Sequence, residues 1–67
     1  MKLNKDTKRF VKIGDYLRFA YGDCYMVTNV IQSADGRSVN FTIQDVKTKQ
    51  TIYAQPSSKL NGAEIIS

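Results

Sequence analysis

Histidine and tryptophan are absent from this chain, and cysteine and proline occur once each, as Cys24 and Pro56. Without histidine there is no Ser-His-Asp triad and no Cys-His pair, and one thiol cannot complete a tetrahedral Cys/His zinc site within a single chain. Nor can it close an intrachain disulfide, so a small fold has to be held by packing alone. A lone cysteine with no secretory signal predicts a reducing, cytoplasmic setting, and no apolar run is long enough to cross a bilayer. Gly14, Gly22, Gly36 and Gly62 form neither a phosphate loop nor a dinucleotide fingerprint, so no cofactor is expected.

What is present suits one domain. The 67 residues leave room for a single modest core, and an aliphatic and aromatic content of 42% is that of a folded chain rather than a disordered one. The charge is unevenly placed. Lys2, Lys5, Lys8, Arg9 and Lys12 face only Asp6 in the first twelve residues, which accounts for the whole net charge of +4. From Ile13 onward Arg18, Arg37, Lys47, Lys49 and Lys59 are balanced by Asp15, Asp23, Asp35, Asp45 and Glu64. The division expected is a basic N-terminal arm over residues 1–9 and a folded body over 10–67, the arm either a solubilising tail or a binding element.

Along the chain, Asn4 is placed to cap a helical turn running to Phe10, with Leu3, Phe10 and Val11 as its apolar side. Val11 and Ile13 then alternate with Lys12 as a first β segment, and Gly14-Asp15 turns the chain into Tyr16–Ala20. There Leu17 and Phe19 share the core face while Tyr16, Arg18 and Ala20 share the other. After a bend at Tyr21–Cys24, the stretch Tyr25–Ile31 is a strand in which a bulge near Thr28-Asn29 lets Val27 and Val30 both point inward. Asp35-Gly36 predicts a tight hairpin, because glycine accepts the positive φ such turns demand. Val39, Phe41 and Ile43 alternate with polar residues as a half-buried strand, and Thr51–Ala54 returns beside it. Pro56 cannot donate to a ladder, so that strand is expected to stop at Gln55, followed by one helical turn over Pro56–Leu60 and a short edge strand at Ala63–Ile66.

About five short strands with a one-turn helix before the last predict an all-β domain whose curled sheet closes on itself. The segments Val11–Leu17, Val27–Ile31 and Gln55–Leu60 resemble the SH3-like small barrels, including KOW- and Tudor-type modules. The resemblance covers nearly everything after Phe10 and implies a five-stranded barrel that binds RNA, DNA or peptides. The chain departs from the proline-recognising SH3 class in having no tryptophan and no acidic, tyrosine-paired loop, so PxxP recognition is not expected.

The expected function is therefore binding without catalysis. The aspartates sit in predicted turns, where their carboxylates bond nearby amides, rather than as a spaced acid and base pair. Cys24 has no cationic neighbour in sequence and reads as a structural thiol, and the Asn40-Phe41-Thr42 glycosylation pattern falls inside a strand. The candidate surface combines Tyr16, Arg18, Tyr21 and Tyr25 on the side opposite Leu17 and Phe19, where rings stack on bases and Arg18 meets phosphate. Lys5, Lys8, Arg9 and Lys12 add attraction that is independent of base sequence. Nucleic acid is the first partner expected of a monomer or weak homodimer. The alternative is a small inhibitor or adaptor, phage-encoded in some chains of this size, that docks on a host protein through its tyrosines and an open strand edge at Thr51–Gln55 or Ala63–Ile66.

Overall fold

A computed structural model describes residues 1–67. The chain is all-β: β1 (Tyr16–Arg18), β2 (Cys24–Gln32), β3 (Val39–Asp45), β4 (Thr51–Pro56) and β5 (Glu64–Ile66) form one antiparallel sheet in the order β4-β3-β2-β1-β5. Two short 3-10 turns, Lys8–Phe10 and Ser57–Leu60, are the only helical pieces. No helix is long and apolar enough to cross a membrane.

The hairpins form where local chemistry demands them. Gly36 takes φ +73°, its amide donates to the Ser33 carbonyl at 3.0 Å, and Asp35 Oδ1 accepts both the Ser33 hydroxyl at 2.7 Å and the Arg37 amide at 3.0 Å. The β3–β4 turn uses Asp45 in the same way, through the amides of Lys47 and Thr48. Between Val27 and Asn29 the β2–β3 register shifts by a bulge, so Val27 is fully buried and Val30 also packs against the core. Leu17, Val27, Val39, Phe41 and Ile43 supply the sheet's side of that core, and Leu60 from the second 3-10 turn covers it.

Several expectations need correction. Val11–Ile13 is not a strand: Lys12 to Asp15 is a hydrogen-bonded turn, with Gly14 at φ +97° and the Lys12 amide held by Asp15 Oδ2 at 2.9 Å. That turn docks on β2, where Gly14 donates to the Val27 carbonyl and Val27 to the Asp15 carbonyl, both at 2.8 Å. Val11 is thereby sent into the core and Ile13 out to solvent, whereas a strand would have put both on one face. Pro56 closes β4 instead of following it, because the last residue of an edge strand needs no ladder N–H. The two end strands β4 and β5 are not adjacent in the sheet, and the chain passes between them through the second 3-10 turn.

The largest difference concerns the first residues. Asn4 does cap a turn, its Oδ1 accepting from the amides of Asp6 and Thr7. Met1–Leu3, however, is not a loose tail. Lys2 bridges antiparallel to Glu64, Ile65 donates to the Met1 carbonyl at 2.8 Å, and Leu3 is only 1% exposed within the core. By packing, Met1–Leu3 belongs with the folded body.

Candidate functional site

The basic residues are brought to bear by one long-range contact. Lys8, at the head of the first 3-10 turn, donates from Nζ to the backbone carbonyl of Arg37 in the β2–β3 hairpin. Around this contact lies a groove of about 200 Å³ lined by Lys8, Arg37, Ser38, Asn40, Ser57 and Ser58 together with Val39 and Pro56. No carboxylate lines it. Lysine carries three donor hydrogens, so Lys8 keeps two after serving Arg37.

Nine of the ten cations are also free of acidic partners. Among all ten Lys and Arg side chains, only Arg37 has a carboxylate within 4.0 Å, and that contact, with Asp35, joins side chains 88% and 62% exposed. An ion pair that open to water contributes little. Lys5, Arg9 and Lys12 are exposed on the same N-terminal segment as Lys8, and the Arg9 guanidinium lies 5.0 Å from the Phe10 ring centroid. Arg37 was absent from the expected set because the sequence shows it only as one cation of a neutral body. Its nearness to Lys8 spans 29 residues and leaves no local signal.

The expected aromatic surface does not assemble as one face. Tyr16 and Arg18 do point away from the core, Tyr16 opposite Met26 and Ile66, and Arg18 opposite Cys24 and Glu64. Tyr25 is instead the cross-strand partner of Leu17 and of Asp45, which places it on the core side of the sheet. Tyr21 stacks on Phe19 with ring centroids 5.5 Å apart and an interplanar angle of 15°, and Tyr25 meets the same ring edge-on at 5.8 Å. Tyr21 and Tyr25 are thus removed from Tyr16 and Arg18 to the opposite face. The phase of β2, which alternation left open, decided this.

Phe19, Tyr21, Tyr25, Ile52, Lys59 and Leu60 surround a shallow concavity of about 130 Å³. Burial pushes the Tyr25 phenol pKa up, and the nearby carboxylates of Asp23 and Asp45 push it further. Asp45 sits directly across the β2–β3 ladder from Tyr25, and Lys59 is the only charged residue in the lining itself.

Neither strand edge expected to pair with a partner is open along its length. The outer edge of β5 is taken by Lys2 and Met1. β4 keeps its edge, but a bulge with Ala54 at φ +48° and the terminal Pro56 interrupt its ladder. Tyr53, exposed beside that bulge, went unnoticed as an available ring.

Comparison with protein-family models, curated proteins and solved structures finds no match for this chain.

Proposed function

We propose that this chain is a non-enzymatic, SH3-like binding domain that holds nucleic acid by its phosphate backbone along the groove between the first 3-10 turn and the β2–β3 hairpin. The carrying observation is the Lys8 to Arg37 contact, which gathers two cations, three serine hydroxyls and an asparagine around a concavity without a carboxylate. Such a set suits phosphate and sugar oxygens. Lys5, Arg9 and Lys12 extend the same positive surface. The sheet order and the 3-10 turn before the last strand support the SH3-like reading, and the absence of histidine and the single cysteine support binding over catalysis.

The test is fluorescence anisotropy of labelled single- and double-stranded oligonucleotides at about 50 and 200 mM salt, the interval over which phosphate contacts are lost. The expected result is affinity that falls steeply with salt, with a slope that flattens by about one for each cation removed in Lys8→Ala and Arg37→Ala. Absence of binding at low salt, or a slope indifferent to both variants, sinks the reading. The tyrosine concavity is not part of this interface, since it shares no lining residue with the basic groove.

A further inference from the structure

The concavity under Tyr21 and Tyr25 has an apolar floor and a negative flank, and the same molecule displays the complementary knob. Phe10 is 52% exposed, with the Arg9 guanidinium over its ring. Flanking residues fix it there: Phe10 donates to the Thr7 carbonyl at 2.9 Å, and Leu3 and Val11 are buried on either side of the segment. Phe10 lines none of its own chain's concavity. We propose that this concavity takes the Arg9-Phe10 pair of a second copy of the chain.

Charge fixes the orientation. Asp45 is the cross-strand partner of Tyr25, Asp23 precedes Tyr25 by two residues, and neither is in an ion pair. Lys59 contributes to the rim from the second 3-10 turn. With the Phe10 ring seated against Phe19, Tyr25 and Leu60, its Arg9 is attracted by the carboxylates and repelled by Lys59, while the exposed ring of Tyr21 offers a second face to the guanidinium. Knob and concavity are different surfaces, so copies join head to tail into chains or rings, or close as a two-fold dimer where two copies exchange knobs reciprocally. One side-chain pair in one shallow concavity makes an interface far below standard size, so association is weak and depends on concentration.

The experiment is analytical ultracentrifugation of the full, nuclease-treated chain over a concentration series, without nucleic acid. The expected result is an average mass that climbs above the 7.6 kDa of one chain. Phe10→Ser removes the knob and Asp23→Lys reverses the flank. Both sites lie outside the core cluster, and circular dichroism checks that each variant stays folded. Each variant alone is expected to associate at least about tenfold more weakly than the parent, as buried charge and aromatic anchors do when truncated. Mixed together, the two variants retain one intact knob and one intact concavity, so they should form a dimer and nothing larger. A parent chain that stays monomeric throughout the series, or a Phe10→Ser variant that associates like the parent, overturns the proposal. Since no oligonucleotide is present, failure here leaves the phosphate groove untouched.

Discussion

Leu3 and Ala63, at opposite ends of the chain, are fastened to each other: the Leu3 amide donates to the Ala63 carbonyl at 2.8 Å, and both side chains are buried. Gly62 returns the bond, its amide donating to the Leu3 carbonyl at 2.8 Å. A segment that looks like a charged tail is thus a structural strand partner with one apolar plug. Leu3→Ala is expected to cost about 2–5 kcal/mol through lost burial and the cavity left behind. A domain of this size holds only about 3–5 kcal/mol in total, so the variant should be largely unfolded in a thermal melt followed by circular dichroism. A melt unchanged from the parent would mean that the segment is not docked in solution.

Thr42 is nearly buried and works as an internal brace. Its Oγ1 accepts the Ala54 amide at 3.1 Å, and its carbonyl accepts the Thr28 hydroxyl at 3.2 Å. The bulge turns Ala54 into a left-handed conformation and takes its N–H off the ladder, so the threonine hydroxyl replaces the missing acceptor. Thr42→Val keeps the shape and strands that amide, which should lower stability by about 1–3 kcal/mol in urea denaturation. Thr42→Ser retains the acceptor and should cost less than the valine variant. Equal stability of the valine and threonine forms would show that water serves Ala54 instead.

What the sequence made legible was local. The Asp35-Gly36 hairpin, the alternation of Val39, Phe41 and Ile43, and the bulge at Thr28 each follow from interactions between residues a few positions apart. The pairings that build the sites are long-range: Leu3 with Ala63 and Lys8 with Arg37 join segments whose own periodicity carries no trace of the partner. Val11 and Ile13 mark the boundary between the two cases, since their alternation with Lys12 reads as a strand and only the docking of the Lys12–Asp15 turn on β2 separates them into core and solvent. Tyr25 failed for a related reason, because a strand with two possible phases leaves the face of every ring undetermined until its neighbours are placed.

The β2–β3 hairpin has a titratable latch. The Ser33 hydroxyl, and after it the Arg37 amide, hold the Asp35 carboxyl below the usual carboxylate range. A folded-state pKa lowered in this way favours folding while the group is charged. The contribution is therefore present above the unfolded pKa and lost as pH falls through the folded one. Following the Asp35 carboxyl by NMR titration, Ser33→Ala should move its midpoint up towards the ordinary value, and Asp35→Asn should remove its share of the acid limb of the stability curve. A midpoint that ignores Ser33 would contradict the bond.

At the alkaline end the sign reverses, and the test bears on the concavity itself. Burial first, then Asp23 and Asp45, raise the Tyr25 pKa, so the folded state prefers the neutral phenol. That preference stabilises the fold fully below the unfolded value of about 10 and is lost as pH rises through the folded one. In a titration of tyrosinate absorbance, Tyr25→Phe should remove a late-titrating component. Asp23→Asn combined with Asp45→Asn should bring that component earlier without restoring the ordinary value, because burial remains. If the double variant leaves it where it was, the two carboxylates place no field across the rings and exert no pull on a docked Arg9.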